Sequence, residues 1–172
     1  FDPYWLQAGP IVRTSEGFFA NPPRDGKGKI ILDEKELKKY LNGTQPQKVG
    51  SGKIYVVSNT DRLRDFDFAE YTSFQTGVQD SEVFAEGGLA KVLEHTTEKS
   101  APNLNKISSK ANYQSGVNVW GFDSVSSPVE RVVWLYSDGF VVVGGLGVGG
   151  DYWGGSDGCV FGVRRGAEGA SG

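Results

Sequence analysis

The sequence predicts an α+β domain in which two helices precede an antiparallel set of strands. Three observations carry this expectation. Two segments with helical spacing, 34–41 and 81–98, both fall in the first part of the chain. Four strand-like runs, 117–122, 131–136, 140–143 and 159–164, follow them. Ser-Asp-Gly and Gly-Gly clusters separate those runs, as turns do. The 172 residues suit a single domain spanning 1–172, long enough to bury roughly 70% of its unfolded surface without disulfide staples.

Taken in order, residues 10–14 read as a first short strand and 28–32 as a second. Asp33 is placed to cap the first helix, where Leu37 and Leu41 share a face, and Asn42-Gly43 stops it. Residues 53–57 form a third strand. Ser81 reads as the cap of a second helix running to about 98, with Phe84, Leu89, Val92 and Leu93 on its inner side. The pair Gly87-Gly88 costs that helix about 2 kcal/mol against alanines, which points to close packing on a neighbour. Residues 99–115 are a polar connection.

Composition narrows the function. Net charge -3 and a pI near 5.2 argue against a phosphate-neutralising, nucleic-acid-binding role. One cysteine, Cys159, excludes an internal disulfide, and one histidine, His95, excludes a His-rich metal centre. No run reaches the roughly 18 apolar residues of a membrane span. The chain contains no methionine, so Phe1 reads as the start of a processed or trimmed piece. Residues 116–172 differ from the rest. They hold 15 of the 25 glycines, three of the four tryptophans and no lysine, and they carry the whole formal charge. Such a tract is either a turn-rich β half or a recognition surface of aromatics on loops.

Several motifs fail in context. Gly145-Leu146-Gly147-Val148-Gly149-Gly150 has dinucleotide-type spacing, but nothing after it can open the helix that a pyrophosphate needs. His95 lies beside Glu94 without a nucleophile signature nearby. Cys159 reads as a small buried hydrophobe. Asp65-Phe66-Asp67 offers too few hard ligands for Ca²⁺, and Arg62 and Arg64 suggest surface pairing. No metal or other cofactor is expected.

The tract from Trp134 is the most informative. It runs Trp134-Leu135-Tyr136-Ser137-Asp138-Gly139-Phe140, then Val141-Val142-Val143-Gly144-Gly145, and closes with Phe161-Gly162-Val163-Arg164-Arg165. This resembles the last half of a C-type-lectin fold. The similarity is to the branch without disulfides or calcium, shared by formylglycine-generating enzymes and the variable proteins of diversity-generating retroelements. It covers about the last 50 residues. The resemblance implies a C-type-lectin-like domain with two helices plus antiparallel sheets, whose terminal Gly-Val-Arg strand returns to the N-terminal part. Calcium-dependent sugar binding is not implied: Gln45-Pro46-Gln47 lies in the wrong half and Trp153 is followed by two glycines. Copper-dependent formylglycine generation needs two cysteines.

The expectation is therefore a non-catalytic, receptor- or adhesion-type protein that binds a protein or other macromolecular ligand at a virion or cell surface, with 116–172 as its ligand-binding region. The candidate contacts are Trp120, Trp134, Tyr136, Ser137, Asp138, Leu146, Val148, Asp151, Tyr152, Trp153, Ser156 and Asp157. On the retroelement resemblance, Tyr136, Asp138, Asp151, Tyr152, Ser156 and Asp157 are the variable contacts and the tryptophans fixed scaffold. Strand alternation further places Trp134, Val141, Val143 and Val163 inside, with Tyr152 and Asp157 outside. The glycine-linked residues between Gly144 and Gly158 are expected to be display loops. Two alternatives stand beside this reading: a structural subunit of a virion or surface assembly, and an unfamiliar enzyme using His95 with carboxylates.

Overall fold

A computed structural model describes residues 10–56, 66–93, 117–138 and 145–152; for Ser81, 134–138, 145–146 and Tyr152 the backbone alone enters the description. In chain order the strands and helices are β1 (Pro10–Arg13), β2 (Gly17–Ala20), α1 (Glu34–Asn42), β3 (Gln47–Val49), β4 (Gly52–Val56) and β5 (Asp67–Glu70). A 3-10 turn (Tyr71–Ser73) leads to β6 (Gly77–Gln79), α2 (Ser81–Glu86), α3 (Gly88–Leu93), β7 (Val117–Trp120), β8 (Val129–Asp138) and β9 (Gly145–Tyr152). The strands form one sheet in the order β3-β4-β5-β2-β1-β8-β9-β7-β6. Every neighbouring pair is antiparallel except β7 and β9. The class is thus α+β, as the order of sequence patterns predicts.

Pleating divides the core between the two sides of this sheet. On β1 and β2 the partners Ile11 and Ala20 join one cluster, while the next pair, Val12 and Phe19, joins another. The first side is covered by Phe84, Leu89, Ala90, Val92 and Leu93 of α2 and α3. The second is covered by Leu37 of α1 with Ile30 and Ile31. Aromatic rings fill both: Phe18 lies 5.0 Å from Phe122 on the first side, and Phe19 lies 4.6 Å from Phe68 on the second.

Helix α1 forms as its sequence requires. The Asp33 carboxylate accepts the Glu36 N–H at 2.9 Å, and the Gly43 N–H closes the far end on Leu41 O. The second predicted helix is instead two. Gly87 takes an extended ψ of 155° and ends α2, and Asp80, not Ser81, is the N-cap residue. Gly88 then packs so closely that a Cβ would strike Ser73 and Ile54. The pair serves close packing, but it breaks the helix as well. The predicted strand 28–32 is reduced to one bridge, Arg24 with Ile30. Asp25 gathers the Lys27 and Lys29 N–H groups at 2.8 and 2.9 Å and folds the segment into a turn with Gly28 at φ 81°.

The larger correction concerns the glycine tract. Gly145–Tyr152 is not a display loop but a strand between β8 and β7. Asp67, expected at the surface, is buried within β5. The expected strands 140–143 and 159–164 lie outside the described residues, as do His95, Cys159 and the polar connection. The burial expected of Trp134, Val141, Val143 and Val163, and the exposure expected of Tyr152 and Asp157, also fall outside what is described.

The helix cap and the helix core are separable. Asp33→Ala is expected to lower unfolding free energy by about 1 kcal/mol and Leu37→Ala by about 2–5 kcal/mol. Urea titrations with unchanged slope check both values.

Candidate functional site

Strand β7 alternates cleanly: Val117 and Val119 are buried in the first cluster, while Asn118 and Trp120 point the other way and are exposed. Trp120 keeps 39% of its surface exposed. Its parallel partner on β9 is Gly149, and Gly147 pairs with Asn118. A Cβ on Gly149 would lie 2.5 Å from Trp120 Cζ2 and 2.7 Å from Cε2. The glycine is therefore the floor on which the indole rests, leaving the ring's outer surface to solvent. On the far side of β9, the backbone register sets Trp134 opposite Gly149 and Tyr136 opposite Gly147. Ser137 and Asp138 follow opposite Leu146 and Gly145. At the sheet edge, Val78 of β6 pairs with Asn118 and is 63% exposed. This face thus has Gly147 and Gly149 along its middle strand, the side chains of Asn118, Trp120 and Val78 to one side, and the register positions of Trp134, Tyr136 and Asp138 to the other.

Val148 leaves this face, and the register puts Leu146 and its partner Ser137 at positions on the same side as Val148. Val148 is fully buried in the first cluster, beside Val119, so its side chain cannot meet a ligand. The reason is the strand that replaces the loop: in Gly-Leu-Gly-Val-Gly the alternate residues go to opposite sides. Trp153, Ser156 and Asp157 lie outside the described residues, and Leu146 and Tyr152 are placed by backbone only. Trp120 and Asp151 are the two predicted contacts whose side chains the structure places at the surface.

Asp151 is held rather than presented freely. Its Oδ1 accepts Nη1 of Arg13 at 2.7 Å and Nε of Arg131 at 3.0 Å. Arg13 is almost buried, with 6% of its side chain exposed against 44% for Asp151. Its Nη2 donates to Asp123 O at 2.7 Å. A bulge makes this contact possible. Tyr152 pairs with Val132 but Gly149 pairs with Trp134, so β9 carries one residue more than β8 across that step. The extra residue re-aims Asp151 toward the side of Arg131 and Arg13. Gly150, in the same bulge, lies under Phe122, whose Cε1 is 2.7 Å from where a Cβ would be. Gly121, at φ 71°, turns the chain from β7 past Asp151.

Sequence reasoning did not single out Arg13, Asn118 or Phe122. A lone arginine between Val12 and Thr14 in an apolar strand was the available signal for Arg13. Away from this face, a cleft of about 460 Å³ lies between α1 and the Asp25 turn, lined by Arg24, Asp25, Ile31, Glu36, Lys39 and Tyr40. Among the described residues no three metal-ligating side chains gather into a cluster. No helix of the described residues is long and apolar enough to cross a membrane.

Comparison with known proteins finds no matching family model, no matching curated protein and no matching solved structure. What the fold and the face define together is a class: a mixed α+β domain, mostly antiparallel, with an aromatic- and glycine-bearing sheet face.

Tyr71 supports the same corner. Its hydroxyl donates to Thr14 O at 3.1 Å, and burial pushes its pKa above the ordinary value of 10.0, with Arg13 acting in the opposite sense. A raised folded-state pKa means that the native protein favours the neutral phenol more than the unfolded chain does. The stabilisation is complete below about pH 10 and is lost as pH rises through the raised value. Alkaline melts are expected to show this loss, and Tyr71→Phe is expected to flatten it.

Proposed function

We propose that this protein is a non-catalytic ligand-binding domain of receptor or adhesion type, using the outer face of β7, β9 and β8 to hold a macromolecular ligand. The observation that carries the reading is Trp120, a large aromatic kept partly exposed on a glycine floor beside the exposed Asn118. Aromatic side chains give much contact area with few rotors to freeze, and amides adapt their hydrogen bonds to the partner. The α+β order, helices before the last strands, is compatible with the C-type-lectin-like arrangement. On that proposal the chain is a variable protein of a diversity-generating retroelement at a virion or cell surface. Tyr136, Asp138, Tyr152, Trp153, Ser156 and Asp157 would extend the contact area, and Trp134 would belong to the scaffold.

A structural-subunit reading has its own support in Val78. A 63% exposed valine on the edge strand β6, next to Asn118, is the kind of apolar edge that a neighbouring subunit covers.

Both readings are separated by one set of measurements. Trp120→Ala is expected to weaken capture on an array of surface proteins and glycans about tenfold or more, as loss of a central aromatic anchor does. On the receptor reading, the chain is expected to sediment as a monomer with or without that substitution. Unchanged capture, or an oligomer that falls apart on Trp120→Ala or Val78→Asp, replaces the receptor reading with the subunit reading.

A further inference from the structure

We infer that the Arg13–Asp151–Arg131 bridge is the register stop of β9, making Asp151 a positioning residue and not a freely exchangeable contact. The need for a stop follows from the strand's own sequence. Residues Gly145-Leu146-Gly147-Val148-Gly149 repeat every two positions. A slide by one residue would send Val148 out of the core and is forbidden by the pleat. A slide by two is different. It brings Leu146 to the place of Val148, opposite Val119, and Gly147 to the place of Gly149, under Trp120. At the positions opposite Val119 and Trp120 the apolar side and the glycine floor are both preserved, and so is the hydrogen-bonding phase of the ladder.

Two features at one end oppose that slide. Val148 would arrive where Gly150 now lies, against Phe122 at 2.7 Å, so that ring must move. Asp151 would travel about 7 Å, the rise of two residues. Both of its bonds to arginine, 2.7 and 3.0 Å long, would break. Arg13, with 6% of its side chain exposed, would be left without its carboxylate partner where water hardly reaches. The β-bulge serves this purpose, since without its extra residue Asp151 would face away from Arg13. The inference does not rest on the ligand-binding reading: an unliganded sheet needs the same stop.

Disulfide trapping reads the register directly. In a Cys159→Ser background, Val119→Cys is combined with Val148→Cys, its present partner, or with Leu146→Cys. Only the first pair is within bridging reach now, because parallel strands about 4.8 Å apart and a two-residue offset of about 6.6 Å place the other two Cα atoms about 8 Å apart. With Asp151 intact, oxidation is expected to close 119–148 alone. Asp151→Asn is expected to raise the 119–146 product about tenfold or more, the factor available from removal of a charge-assisted hydrogen bond. Asp151→Asn with Phe122→Leu raises it further, and Asp151→Glu restores the 119–148 product. A bridge that merely stabilised the fold would lower the melting temperature and leave 119–148 as the sole product; that result overturns the inference. Where Asp151→Asn does not fold, Arg131→Gln, which leaves Arg13 paired, carries the test. Its expected outcome is a smaller rise of the 119–146 product, and an unchanged pattern overturns the inference.

Discussion

The guanidinium of Arg13 is the charge that ties β1 to β9 and to the segment after β7. It sits on β1, nearly dry, and its partners come from distant segments: the Asp151 carboxylate on β9 and the Asp123 carbonyl after β7. Its Nε makes no hydrogen bond. A buried arginine stripped of its carboxylate costs about 3–5 kcal/mol in comparable settings, whereas an exposed pair contributes about 0–1 kcal/mol. Asp151 is 44% exposed, so the Coulomb attraction itself is screened. The constraint comes mainly from the arginine, which has no water to fall back on. The chain after β7 is drawn into the same corner, where Val125 N–H donates to Thr14 O and Ser124 Oγ donates to Ser15 O. β1, β9 and the 121–125 segment are therefore tied together at one corner.

Glycines complete that corner by shape. Gly149 accepts the Trp120 indole and Gly150 accepts the Phe122 ring on the opposite side of the same strand. Successive residues of one β-strand thus receive two aromatic rings from a single neighbouring segment, one outside and one inside. Glycine in a strand interior ordinarily weakens it. Here rings from 120 and 122 occupy the space of the missing side chains, so a neighbouring segment supplies the apolar packing that the strand cannot make for itself. Val148, beside them in the pattern, keeps the core side filled.

This arrangement explains what is and is not legible in the sequence. Helix α1 is readable because its determinants are local: the Asp33 cap, Leu37 and the Asn42-Gly43 stop lie within one segment. Strands β1 and β4 are readable from their β-branched runs. Strand β9 is not, because a glycine-rich strand is specified by rings that approach from 120 and 122, and local propensity sees only turns. The same blindness puts Val148 among the ligand contacts. Gly87 as a helix break is unreadable for a related reason: the close approach of Ser73 and Ile54 to Gly88 is tertiary. Trp120 is legible as a candidate contact from its place in the aromatic- and glycine-rich last third of the chain. Arg13 stands out only as a lone arginine in an apolar strand, and its partners, Asp151 and the Asp123 carbonyl, are too distant in sequence to be read. The four-residue strands β2 and β5 are too short for periodicity to separate from turns.

The position of the face follows from uneven coverage of the sheet. Around β5, β2 and β1 both sides are sealed, one by α2 and α3 and the other by α1 with Ile30 and Ile31. The first cluster continues across to β7, β8 and β9 through Val117, Val119, Val133 and Val148. The second cluster does not: none of the described side chains of those three strands belongs to it. An antiparallel sheet tolerates one solvated side, but a parallel pair such as β7 and β9 is ordinarily covered on both. Trp120 supplies that cover from within the sheet itself, by lying across Gly149. The exposed tryptophan is therefore first a lid on its own backbone ladder. On the proposed function, a ligand that stacked on its outer surface would extend the lid without displacing it, and the rigidity that the ladder requires of the ring would also lower the cost of ordering it as an anchor.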